Sequence, residues 1–340
     1  MNGLPDLGRP SRRQLVQGMG VAGAALLAGC APLPFQRPVQ KQQTIRRIGV
    51  LAFSSPERSS PFLEAFRISL RDLGYVEGHN VTIEARYGEG IVERLPALAV
   101  ELVGLGAEVI LAQTSAAAIA AKEASTTVPI VFVETGNPIG TGLVASLARP
   151  GGHLTGLAGF GPELAAKRLE LLRGIAPWIS HVGVLRTPTP ANEFEWTETQ
   201  DAAQALGLTL RLFEIRSLND WGDALAAMTR EPPHALLMLT GSGIARAEIM
   251  EFAAQRRLPT MTPDREFVAA GALMAYGPSI GDMWRRAAYY VDQILKGAKP
   301  ADLPVEQPRE FEFVINLHTA RALDLSLPAS VLIFATDAIR

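Results

Sequence analysis

The residues able to do chemistry in this 340-residue chain gather just after short apolar runs. Ser54 and Ser55 follow the first such run, Thr114 and Ser115 the third, and Glu134, Thr135 and Asn137 the fourth. In the second half Thr240 and Ser242, then Asp264 and Glu266, then Tyr276 take the same position. A hydroxyl that also opens a helix presents its own O–H and free backbone N–H groups to a carboxylate. A carboxylate facing it, such as Glu134, takes an ammonium, and Phe160 or Trp196 offers a ring to stack against. Together they suit an amino-acid-like zwitterion, although the same hydroxyls serve a sugar or a carboxylic acid equally well. Each residue also has a plainer reading: Thr114, Ser115 and Asp264 as helix caps, Glu134 as a solvated loop charge, the aromatics as packing.

Catalytic machinery is harder to find. His79, His153, His181, His234 and His318 are scattered without metal-ligand spacing. No Gly-x-Ser-x-Gly elbow, Walker loop or His-Glu-x-x-His occurs. Residues 140–145, GTGLVA, fit G-x-G-x-x-A between a strand and a helix. They follow the fourth strand rather than the first, lie behind a lengthened Gly136-Asn137-Pro138 loop, and lack an acidic strand end about 20 residues on. The glycines read better as turn formers than as a nucleotide cradle. The expectation is therefore a binding protein and not an enzyme, with no catalytic residues, no metal and no cofactor, and with a small-molecule solute as its ligand. A net charge of −2, with no basic block after the N-terminus, gives no footing for nucleic acid.

The elements that must position these residues alternate regularly. β-Branched apolar runs at 48–53, 81–85, 108–111 and 130–133 read as buried strands, separated by amphipathic helices. Phe62, Phe66 and Leu70 make an i, i+4, i+8 stripe on the first helix, for which Ser60 reads as cap and Pro61 as first residue. Residues 142–147 read as a short helix, and Pro150-Gly151-Gly152 as a hinge into a second lobe beginning with a strand at 154–160. Further β and α units follow to a long helix at 281–296 that ends on Gly297. A Pro-punctuated passage at 300–308 reads as another crossing. The predicted fold class is α/β: two doubly wound parallel-sheet lobes joined by a multi-strand hinge. Lobe 1 comprises residues 45–152 with 278–305, and lobe 2 residues 153–277 with 306–340.

The first residues read as an address rather than as fold. Ser11-Arg12-Arg13-Gln14-Leu15 resembles a twin-arginine export motif, and the apolar run behind it is too short to span a bilayer permanently. Leu27-Ala28-Gly29-Cys30 resembles a bacterial lipoprotein box, and Cys30 is the only cysteine. The alternative is an ordinary Arg-flanked signal with an incidental cysteine. The expectation is a signal peptide over residues 1–29 and a lipidated tether over 30–44, whose Pro- and Gln-rich stretch 31–44 reaches at most about 45–50 Å when extended.

Three stretches resemble one family. They are residues 137–156 (NPIGTGLVASLARPGGHLTG), 265–278 (REFVAAGALMAYGP) and 285–308 (RRAAYYVDQILKGAKPADLPVEQP). They look like the signatures of bacterial ABC-transporter substrate-binding proteins of the tryptophan/tyrosine type, and the likeness runs from about residue 45 to the C-terminus. One departure is Gly136-Asn137-Pro138, where the pattern leads one to expect Gly-Asp-Pro. The resemblance implies a type I periplasmic-binding fold that closes its two lobes around a solute. It also implies a location in the cell envelope, and a permease and an ATPase as partners. The candidate ligand residues are then Ser54, Ser55, Thr114, Ser115, Glu134, Asn137, Phe160, Thr240, Asp264, Glu266 and Tyr276.

Overall fold

The computed structural model describes residues 45–159, 162–241 and 245–340. The leader, the tether with Cys30, Phe160 and Ser242 lie outside the described residues.

Strands β1 (Arg46–Ala52), β2 (Val81–Tyr87), β3 (Val109–Gln113), β4 (Ile130–Gly136) and β5 (Leu154–Gly159) form one parallel sheet in the order β2-β1-β3-β4-β5. Buried on both faces, β3 and β4 are continuous apolar runs, whereas the edge strand β2 alternates and is half-exposed. Helix α1 (Pro56–Asp72) lays Leu63, Phe66 and Leu70 against Ile48, Val50, Leu111 and Val133 on one face. On the other face α2 (Leu95–Gly104) and the Ala-rich α3 (Thr114–Ala124) cover Leu51, Ile110, Ala112 and Phe132.

The second sheet runs β12-β11-β10-β9-β8-β6-β7. Its strands are β6 (His181–Arg186), β7 (Thr209–Glu214), β8 (Ala235–Met238), β9 (Thr260–Thr262), β10 (Met274–Pro278), β11 (Phe311–Asn316) and β12 (Asp337–Ile339). Helices α4 (Pro162–Ile175) and α5 (Pro190–Leu206) cover one face, with Leu169, Leu172 and Ala203 over Val182, Val184 and Leu237. Helices α6 (Leu218–Arg230), α7 (Arg246–Gln255) and α8 (Arg265–Ala269) cover the other.

The chain passes between the sheets three times. It leaves the first sheet at the end of β5, Gly159, and is next described in α4, which covers the second sheet. It returns at 278–280 into α9 (Ile280–Leu295), whose Met283, Trp284, Ala287 and Val291 pack on the first sheet. It crosses again between Glu306, which bridges Leu157 beside β5, and β11. Because β11 re-enters from the opposite side, it pairs antiparallel with β10, the one exception among otherwise parallel strand pairs.

Three expectations need correction. Residues 154–159 pair with β4, so the strand expected to open lobe 2 belongs to the first sheet. Pro150-Gly151-Gly152 is consequently a turn within that lobe. Its side chain-free Gly156 (φ +147°) lets β5 approach β4 so closely that a Cβ there would stand 2.1 Å from the Phe132 carbonyl oxygen. Residues 142–147 form turns rather than a helix: Gly142 is left-handed, and Leu143 and Val144 both donate to the Pro138 carbonyl. Finally, α1 starts at Pro56 with Ser55 at its cap, one turn before Ser60 and Pro61, because Pro56 suits the first helical position equally well. That extra turn brings Arg58 into the helix.

Candidate solute-binding cleft

The carboxyl edges of the two parallel sheets face one another across a cavity of about 250 Å³. The first lobe supplies Ser54 and Ser55 after β1, Arg58 and Phe62 from α1, Gln113, Thr114 and Ser115 at the β3–α3 junction, and Glu134 from the end of β4. The second lobe supplies Thr187, Asn192, Glu195, Thr240, Asp264 and Glu266.

Gln113 organises the first-lobe wall. It is buried, its Oε1 accepts from the Ser54 N–H at 3.4 Å, and its Nε2 donates to both Glu134 oxygens at 3.1 and 3.3 Å. It thus ties the ends of β1, β3 and β4 together. From α9, the fully buried Trp284 donates its indole N–H to Glu134 Oε1 at 2.6 Å. Thr114 and Glu134 both have left-handed backbones (φ 75° and 55°), a conformation costly for non-glycine residues and concentrated at ligand sites. Thr114 Oγ1 is buried with no protein partner, and Ser115 Oγ donates to the Gly136 carbonyl at 3.2 Å.

The second-lobe wall rests on a buried ion pair. Arg168 Nη1 donates to Glu195 Oε1 at 2.7 Å, and its Nε donates to the Tyr276 carbonyl at 2.8 Å. Glu195 also accepts from the Thr240 N–H at 3.0 Å and from its hydroxyl at 3.2 Å. Asn192 donates to the carbonyls of Thr187 and Thr240 at 2.7 and 3.0 Å. These bonds fix the floor below Asp264 and Glu266.

Charge converges from both lobes. Arg58, 3.8 Å from Asp264 and 3.7 Å from Glu266, reaches across the cleft and lies over the Phe267 ring. Arg246 pairs with Glu266 at 3.3 Å. Burial pushes the Asp264 and Glu266 carboxyls up, opposed by Arg58 and the neighbouring arginines. Burial also pushes Glu134 up to about 7; Asp264 across the cleft adds to the rise, and the Trp284 and Gln113 donors oppose it.

Of the residues picked from sequence, Ser54, Ser55, Thr114, Ser115, Glu134, Thr240, Asp264 and Glu266 stand around this one cavity. Two do not. Asn137 turns back on its own loop, accepting from the Gly140 N–H at 2.8 Å, with the left-handed backbone (φ 40°) that Asn tolerates. Its missing charge therefore falls outside the cavity wall. The Tyr276 ring packs between Phe311 and Phe313, and only its carbonyl serves the site, through Arg168. Trp196 packs against the second-lobe core; Phe53 and Phe62 are aromatic residues that do line the cavity. Sequence reasoning missed Arg58, Gln113, Trp284 and the Arg168–Glu195 pair. The misplaced start of α1 concealed Arg58. Gln113 carried a visible signal, standing directly before Thr114 at a strand end.

No helix among the described residues is long and apolar enough to cross a membrane, and no group of His, Cys, Asp or Glu among them is arranged to hold a metal. Two α/β lobes with a cavity of mixed polar and apolar lining between their carboxyl edges define a type I periplasmic-binding fold, a class that binds solutes rather than transforms them. The profile of the ABC transporter substrate binding protein family matches residues 47–339, and the chain belongs to that family. It is 24% identical over 319 residues, 90% of each chain, to a tyrosine-binding protein of Clostridioides difficile (strain R20291). A crystal structure of an ABC domain from Streptococcus pneumonia in complex with L-Trp superposes with a TM-score of 0.81 at 25% identity, covering 87% of this chain and all of that one. A conserved domain protein from Vibrio cholerae gives a TM-score of 0.80 at 25% identity with the same coverage.

Proposed function

We propose that this chain is the extracytoplasmic, lipid-anchored receptor of an ABC uptake transporter and binds an amino-acid-like solute, with aromatic amino acids foremost, between its lobes. The observation that carries the reading is the cavity itself. It sets the Thr114–Ser115 helix start, suited to a carboxylate, beside Glu134 and opposite Asp264, suited to an ammonium, and it includes two phenylalanines in its wall. What the tyrosine-binding relative and the L-Trp complex are said to bind supports the aromatic choice.

Binding works here by differential affinity for the closed state. A solute touching both walls holds the lobes together, and one that touched a single wall equally well in both states would shift nothing. Closure excludes water, strengthens the polar contacts and creates the surface a permease reads. The export segment and Cys30 support anchoring to a membrane, and the family supports a permease and an ATPase encoded elsewhere as partners.

A thermal-shift series on residues 45–340 with L-tryptophan, L-tyrosine, aliphatic amino acids, aromatic carboxylates, sugars and nucleosides tests the reading. A ligand at about 100 times its dissociation constant adds about 2.7 kcal/mol of stability. A shift with sugars or nucleosides alone would replace the amino-acid assignment.

A further inference from the structure

Glu134 is an acid with acidic company and no cation at ion-pair distance; only the more distant Arg58 offsets the repulsion from Asp264. Its two hydrogen-bond partners, Trp284 and Gln113, are neutral donors on buried side chains. The charges facing it are nearly all committed to one another. Arg168 is spent on Glu195 within the second lobe, Arg246 bonds Glu266, and Arg265 pairs with Glu312 and Asp337. Beside β2, Glu89 is held by Arg94, and on α9 Asp282 is held by Arg285. Among the described arginines lining the cleft, Arg58 makes no hydrogen bond to a carboxylate: at 3.8 Å from Asp264 and 3.7 Å from Glu266 it attracts both across the cleft from beyond hydrogen-bonding distance. Three carboxylates, Glu134, Asp264 and Glu266, therefore face two guanidiniums, Arg58 and Arg246.

A partly buried carboxylate with no cation at ion-pair distance holds its proton to a higher pH than a solvated one. A closed cleft that sets Glu134 opposite Asp264 needs one positive charge between them, delivered either as that proton or by the solute. We infer that solute binding in this cleft expels the proton of Glu134, its place being taken by a cationic amine of the solute. The protonated carboxyl and the ammonium become a carboxylate–ammonium pair, and the proton passes to solvent. The inference rests on the solute-receptor reading and adds to it that an amine is obligatory. It makes Glu134 the residue that rejects otherwise identical acids, because a solute lacking the amine leaves the proton where it is and gains no ionic contact.

The test is calorimetric titration of the protein with L-tryptophan, indole-3-propionate and tryptamine, and with L-tyrosine, 3-(4-hydroxyphenyl)propionate and tyramine. Each is run in phosphate and in Tris at pH about 6, below the value near 7 at which Glu134 titrates. The amine-bearing solute is expected to bind roughly a hundredfold more tightly than its deamino partner. Its heat should differ between the buffers by the ionisation of about one proton, and its affinity should fall about tenfold per pH unit below about 7. Glu134→Gln should abolish the buffer difference. Deamino acids that bind as tightly as the amino acids, or buffer-independent heats for the unaltered protein, would overturn the inference while leaving the receptor reading intact. If the plain amines bind and the amino acids do not, the amino-acid assignment fails and the amine requirement stands. If no compound binds, melting of the unaltered protein and of Glu134→Gln at pH about 5 and about 8.5 decides: a gap between them that widens several-fold at the higher pH supports the held proton, and an equal gap at both overturns it.

Discussion

Replacing Glu134 by Gln should stabilise the empty protein, increasingly as pH rises from about 5 to about 7 and fully above that. The carboxyl rises from its ordinary 4.5 to about 7 in the folded chain, chiefly through burial. The folded state therefore holds a proton that the unfolded state has already released between those two values. The stability associated with that proton is fully present below about pH 4.5 and is lost as pH rises through about 7. At about 1.36 kcal/mol per pH unit, the loss approaches about 3 kcal/mol, an upper figure because cleft water reaches part of the side chain. Gln keeps the shape of the neutral acid, and its carbonyl oxygen can accept from Trp284 and Gln113, so it escapes the loss. For a domain of this size the difference amounts to about 5 °C in melting temperature at pH about 8.5, falling to about a quarter of that near pH 5. Calorimetric or fluorescence melting at the two pH values measures it directly. A variant equally or less stable at the higher pH would refute the account, because it would mean that ionised Glu134 is welcome where it stands.

Arg168→Met should cost about 3–5 kcal/mol, since it strands the Glu195 carboxylate inside the second lobe; denaturant melts quantify it, and a loss below about 1 kcal/mol would mean that the pair is dispensable. Gly156→Ala should destabilise by about 2–4 kcal/mol, because the added Cβ meets the Phe132 carbonyl and the backbone sits at φ +147°; the same melts report it, with Gly152→Ala, whose Cβ meets nothing, as the matched control. Cys30→Ser should move the protein from the membrane fraction to the soluble extract, and mass spectrometry of the unaltered N-terminus should find acyl chains on Cys30.

Much of the architecture was legible because the chemistry of burial writes itself into single runs of residues. Apolar, β-branched segments such as 109–113 and 130–133 read as strands, and the Phe66–Leu70 part of the first helix's stripe packs on the sheet as expected, while Phe62 at its start reaches the cavity and Trp284. Polar residues directly after such runs were traceable to a carboxyl edge, which is why Ser54, Thr114, Glu134 and Asp264 were within reach. What stayed hidden depends on partners far along the chain. Nothing around Trp284 says that its indole will meet a carboxylate from β4, and nothing around residues 154–159 says which sheet will claim them. Pro-Gly-Gly looked like a hinge because it can bend; whether a bend lies within a lobe or between lobes is set by strand pairing, which has no local signature. The left-handed backbone at Thr114 and Glu134 is equally invisible, since neither residue type favours it.

Helix α9 has a consequence for the order in which the molecule can assemble. It is made after the chain has passed through most of the second lobe, yet Trp284, Met283 and Val291 fill one face of the first sheet. Trp284 meets Glu134 from 150 positions away. Until those residues emerge, the apolar face of the β-strands laid down first is only partly covered, by α1, and Phe66 and Leu70 lack part of their own cover. The second sheet is likewise unfinished until β11 and β12 arrive. Neither half can mature by itself during synthesis, so the molecule is bound to collapse late and as a whole, with slow, long-range contacts setting the pace. A chain stopped after residue 278 should therefore be sticky and chaperone-bound rather than a tidy half-receptor.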